Sequence, residues 1–187
     1  MITERLTESM CILFIGFNPS LTSYERGFNY AGRNNRFYRV LYLSTLTNRL
    51  YAPEESPNLL GDYGFGFTNI ASRPTKRADE LSAEEYREGR QVLRQKLEQY
   101  KPKIACYVGK GVYVQFSQKR RAVPWGFQEE PSVADVLDFV GPSTSGLVRM
   151  KLQEQVDIYR QLAEYIRHLG LCAAGKPPQV NTLTGGK

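Results

Sequence analysis

Asn18 is the first residue of this chain whose type and position could do chemistry. It follows an apolar run, Cys11-Ile12-Leu13-Phe14-Ile15-Gly16-Phe17, and precedes Pro19-Ser20. An amide does not titrate, so Asn18 cannot be a general acid or base. It can accept a hydrogen bond from water and donate two of its own. The same residues also read as a plain turn. Two further stretches have a comparable form. Thr68-Asn69 ends a second apolar run, Phe65-Gly66-Phe67. Pro142-Ser143-Thr144-Ser145-Gly146 gathers three hydroxyls in a loop before a helical segment, where hydroxyls and backbone N–H groups can bind phosphate or simply cap the helix. Tyr30, inside Gly27-Phe28-Asn29-Tyr30-Ala31-Gly32, is a loop anchor or a surface on which a base can stack.

Other chemistries are excluded by what the chain lacks. A single histidine, His168, makes a His-based zinc site or a Ser–His–Asp triad untenable. Cys11, Cys106 and Cys172 are odd in number and far apart, which predicts no metal site, no disulfide framework and a reducing, intracellular setting. Three thiolates are too few for the usual iron–sulfur ligation. Gly109-Lys110-Gly111 lacks the upstream glycine and the following Ser/Thr of a phosphate loop, and no dinucleotide fingerprint follows the first apolar run. No apolar span is long enough for a transmembrane helix, and residues 1–10 do not form a secretory signal. The net charge of +6 suits a polyanionic partner.

The elements that must carry these residues alternate in type. Cys11 to Gly16, Phe65 to Ile70, Ile104 to Val108 and Val133 to Val140 read as buried strands ended by turn residues. A helix from Arg36 to Thr47, capped by Asn34 or Asn35, is apolar around nearly its whole circumference and is expected to be buried. Ser82 and Glu85 form a capping box ahead of a helix that Pro102 stops. Gly111 to Phe116 predicts a short helix. Arg149 to Leu169 predicts an amphipathic one. Lys119-Arg120-Arg121 reads as a solvated basic loop. Strands alternating with helices predict an α/β fold, a three-layer α/β/α sandwich around a mainly parallel sheet. One domain is expected over residues 1–170. A tail over residues 171–187, rich in Ala, Gly, Pro and Thr, is expected to be disordered.

The motifs together resemble a known family. Gly16-Phe17-Asn18-Pro19, followed by Gly27-x-x-Tyr30-x-Gly32-x-x-Asn35-x-Phe37, resembles the first motif of the mismatch-specific uracil/thymine DNA glycosylases. Gly66-Phe67-Thr68-Asn69-Ile70, Glu88-Gly89-Arg90 and Val108-Gly109-Lys110 are similar to later segments, and Pro142-Ser143-Thr144-Ser145-Gly146-Leu147 to the second motif. The resemblance runs in order from about Cys11 to Leu169.

It implies four strands in the sheet and hydrolysis of the N-glycosidic bond of uracil or thymine mispaired with guanine. The base is flipped out of the duplex, and neither metal nor cofactor is needed. By resemblance, Asn18 positions the attacking water. Phe17, Ser20, Tyr30, Asn35 and Asn69 surround the base: Tyr30 stacks on it and Asn69 bonds its polar edge. Backbone N–H groups near Ser20 and Leu21 face the departing anionic base. Ser143, Thr144, Ser145 and Gly146 bind the DNA backbone, and Leu147 wedges into the gap. The implied partner is double-stranded DNA and the implied state a monomer.

Three positions depart from the pattern. Ser20 stands where the family commonly has glycine, Gly141 where relatives carry a larger residue, and Leu147 where some carry arginine. A non-catalytic nucleic-acid-binding domain on the same fold is the alternative that these departures leave open. A nucleotide hydrolase is disfavoured by the missing phosphate loop.

Overall fold

The computed structural model describes residues 1–119 and 122–172. Its centre is a five-stranded sheet: β1 (Ile12–Gly16), β2 (Phe65–Asn69), β3 (Ile104–Val108), β4 (Gly126–Phe127) and β5 (Leu137–Gly141), in the order β2-β1-β3-β5-β4. Every pairing is parallel except β4 with β5. Side chains alternate across a strand, and both faces of β1 are apolar. Ile12 and Phe14 enter one core with Phe65, Phe67, Ile104, Cys106 and Phe139, while Leu13 and Ile15 enter the other with Ala105, Tyr107 and Val140. That two-sided burial is why the strand reads as a continuous apolar run rather than an alternation.

Helices cover both faces. On the first lie α2 (Phe37–Leu43), α3 (Asn58–Tyr63) and α6 (Leu152–Leu169); on the second lie α4 (Ala83–Tyr100) and α5 (Lys110–Ser117). A short α1 (Leu21–Arg26) directly follows the Asn18 turn. The expected capping box opens α4: Ser82 Oγ accepts from Glu85 N at 3.2 Å and Glu85 Oε2 accepts from Ser82 N at 2.8 Å.

The expected four strands become five. β4 is two residues long, too short for any periodicity, and it is fixed by Phe127 packing on Phe139 and Tyr165. The expected first helix is preceded by α1. It also stops at Leu43 rather than Thr47, because Thr45 takes a left-handed backbone conformation. It is not buried all round, since Tyr42 and Leu43 are exposed. The last strand begins at Leu137, and the last helix at Leu152, three residues later than expected.

The cysteine expectation is corrected. Cys11 and Cys172 form a disulfide, with Cα atoms 5.6 Å apart across a sequence separation of 161. The start of β1 and the end of α6 adjoin in space, which spacing along the chain does not reveal. Leu171 N also bonds to Ile166 O, so the first two residues of the expected tail are tied down. The rest of that tail, and two residues of the basic run 119–121, lie outside the described residues. Cys106 is free and buried.

Candidate active site

Parallel strands deliver all their carboxyl ends to one rim. Strand order changes direction between β1 and β3, and ligands of open α/β sheets bind at such a point. A cleft of about 610 Å³ opens there. The loops after β1, β2 and β5 line it, bringing together Phe17, Asn18, Ser20, Tyr30, Asn35, Asn69, Ser143, Thr144, Ser145 and Leu147.

The orientation of the Asn18 amide follows from its neighbours. Asn18 Nδ2 donates to Arg73 O at 2.7 Å and to Thr75 Oγ1 at 2.7 Å. The Thr75 hydroxyl spends its single proton on Arg77 O, at 2.7 Å, so toward Asn18 it can only accept. A carbonyl also only accepts. Both partners therefore demand the NH₂ group, and the amide oxygen is left as the group free to accept from a ligand in the cleft. Thr75 is buried and its N–H donates to Pro19 O at 3.2 Å, fastening the two loops together.

Tyr30 sits across the cleft in a left-handed conformation, φ 53°. Such backbone is costly for a residue with a side chain, by about 1–3 kcal/mol, and persists where its surroundings impose it. Here α1 imposes it. Ser23 Oγ accepts from Ala31 N at 3.0 Å, and Arg26 Nη1 donates to Ala31 O at 2.7 Å. Ser20 caps α1 by accepting from Ser23 N at 3.1 Å and donates to Ser23 Oγ at 3.0 Å. A side chain at position 20 thus begins a chain of contacts that ends at the backbone beside Tyr30. The Tyr30 ring lies flat on Phe37, centroids 3.9 Å apart. Burial, with smaller contributions from Cys106 and Tyr38, pushes its phenol well above the usual range, so it stays neutral.

Gly16 makes room for Asn69. A Cβ at position 16 would lie 2.7 Å from Asn69 Oδ1. Phe17 lines the cleft, but its ring packs against Tyr86 and over Gly111, where a Cβ would come within 2.6 Å of it. Asn35 Oδ1 accepts from Phe37 N at 2.9 Å and from Thr144 Oγ1 at 2.8 Å, joining the entry of α2 to the serine loop. Thr144 is buried by this contact. Ser143 and Ser145 accept weakly from Ser145 N and Leu147 N, at 3.4 and 3.3 Å, and keep their hydroxyl protons available for an anion. Gly146 lies against Asn34, with 2.7 Å left for a Cβ. Leu147 is 85% exposed.

Arg73 and Thr75, which hold the Asn18 amide, do not stand out in the sequence. No local signal ties them to Asn18. Ser23 does not stand out either, although its spacing from Ser20 is that of a helix cap. The ionisable residues of the cleft are Tyr30, Lys76, Arg77 and Asp79, and the Asp79 carboxylate is paired with Arg77 at 2.7 Å. Amides, hydroxyls and an aromatic ring carry the polar chemistry around Asn18. Among the described residues no group of His, Cys, Asp and Glu could hold a metal ion.

Fold and cleft define an α/β protein with an open cleft at the carboxyl ends of its parallel strands. The chain belongs to the uracil DNA glycosylase superfamily, whose family model matches residues 6–169. Members of that superfamily are DNA glycosylases, hydrolases that act on DNA in base excision repair.

Proposed function

We propose that this protein hydrolyses the N-glycosidic bond of uracil mispaired with guanine in duplex DNA, acting as a monomer without cleaving the strand. The observation that carries this reading is the fixed Asn18 amide. With both N–H groups occupied by Arg73 and Thr75, its oxygen can accept only from a ligand in the cleft, and a water held there would present its lone pair to the sugar. No base need take the proton before bond breaking. If the base departs first as an anion, the sugar becomes an oxocarbenium ion, an oriented water adds to its C1′, and the proton this water loses neutralises the departed base.

The remaining residues take complementary roles. Phe37 covers one face of Tyr30, and the other face receives the flipped base. Asn69, and the peptide groups around Phe17 and Ser20, meet its polar edge. Asn35 braces the serine loop through Thr144, so that Ser143 and Ser145 can donate to phosphates. Leu147 is an apolar group with nothing to gain from water and fits the gap in the stack. Lys76 lines the cleft, but no lysine stands at a position that the resemblance matches to a nucleophile, which supports simple hydrolysis without a covalent intermediate.

Incubation with a U·G duplex followed by alkali tests the proposal. A break at the uracil position is expected. Binding without a break would overturn it in favour of a non-catalytic nucleic-acid-binding domain.

A further inference from the structure

Asn18 is oriented by a loop, and that loop has few bonds of its own. After β2 the chain bonds to the Asn18 turn through Ile70 N to Gly16 O and Ala71 N to Phe17 O, then again at Thr75 N to Pro19 O. Arg73, whose carbonyl receives one Asn18 proton, lies in the stretch between. Its own fixing comes from its side chain. Arg73 Nε donates to Glu85 Oε1 at 2.6 Å, and Nη2 donates to Glu85 Oε2 at 3.0 Å and to Glu80 O at 2.8 Å. Glu85 is in turn fixed as the acidic member of the capping box of α4, an 18-residue helix.

We propose that Arg73 is a positioning residue, whose two-pronged pair with Glu85 fastens the loop to α4 and so sets the Asn18 amide; this rests on the reading of Asn18 as the group that orients water. The pair is half exposed on the arginine side, so its contribution to overall stability is small. Its geometry is the point. A planar fork on a carboxylate fixes direction as well as distance, which an ammonium cannot do. An arginine that served instead as a phosphate contact would be replaceable by lysine, and the facing carboxylate would only weaken DNA binding.

Two variants and two readouts separate these roles. In ¹⁵N-labelled protein, Asn18→Ala identifies the Asn18 side-chain amide signals by their loss. In Arg73→Lys and in Glu85→Gln those signals are expected to shift and their protons to exchange faster with solvent. Single-turnover excision on the U·G duplex is expected to fall about tenfold in both, less than the about hundredfold that a 1 Å misplacement can cost. Duplex affinity should stay unchanged. In the Asn18→Ala background, Arg73→Lys should cost nothing more. Unchanged amide signals in both variants would overturn the proposal, as would an equal rate loss with and without Asn18. If the parent excises no uracil, the functional reading fails, and the amide signals alone decide whether Arg73 sets Asn18.

Discussion

Tyr159 occupies the space that a side chain at position 141 would need. A Cβ on Gly141 would lie 2.4 Å from Tyr159 Cζ and 2.6 Å from its hydroxyl oxygen. That hydroxyl donates to Pro142 O at 2.8 Å, inside the core. The bulk expected at the end of β5 is supplied from α6, and the same ring holds the first residue of the serine loop. Gly141→Ala should therefore overpack the site and destabilise the fold by about 1–3 kcal/mol. Tyr159→Phe keeps the ring but strips Pro142 O of this donor, at a cost of about 1 kcal/mol. Urea unfolding measures both, and the order of the two costs is the critical outcome.

On the proposed mechanism, Asn18→Ala removes one oriented polar group from the reacting centre. Such losses cost on the order of 10²–10³ in rate. Single-turnover excision should fall by about that factor, with affinity for the same duplex nearly unchanged. β1 ends before Asn18, so the fold should survive. Excision at the parental rate would remove Asn18 from the mechanism. Thr75→Val, which keeps the shape but removes the acceptor, should lose rate in the same direction.

As the proposed wedge, Leu147 is useful only where there is a base stack to fill. Leu147→Ala should lose more activity on a U·G duplex than on single-stranded uracil DNA. Equal losses on the two substrates would show that it is no wedge.

The Arg73 guanidinium, with the Ser82 N–H, holds the Glu85 carboxyl down to about 2 from an ordinary 4.5. A folded-state value below the unfolded one means that the stabilisation is present above about pH 4.5 and is lost as pH falls through about 2. Between about pH 5 and 8, Glu85 should impose no limb on the excision profile. In Arg73→Ala its titration should move up toward the ordinary value, which carbon-detected NMR of the carboxyl group can follow. A Glu85 that titrates near 4 in the parent would contradict the pairing.

How much of this was legible depended on whether the signal was local. β1, β2 and β3 stand out because both their faces are buried, and α4 because Ser82 and Glu85 announce it. Asn18 and Tyr30 were recognisable as candidates because turn residues surround them. Arg73 and Thr75 were not, because parallel strands bring loops together across a whole βαβ crossover, and nothing near residue 73 records what stands at residue 18. Ser20 shows the opposite difficulty. It stands out as a departure from the family pattern, yet its role lies in the local structure: it caps α1 and braces the backbone beside Tyr30. Gly141 likewise has its explanation in Tyr159, a residue on another helix.

The bond between Cys11 and Cys172 joins the residue just before β1 to the residues just beyond the last helix, and so turns almost the whole described chain into a ring. A pull applied to the two ends of the chain would travel through the sulfur atoms and bypass the sheet. The hydrogen bonds of β1 to its neighbours, and the loops at the opposite end of that strand, would carry none of the load. Once the bond is reduced, the same pull would reach β1 directly, the strand that leads into Asn18.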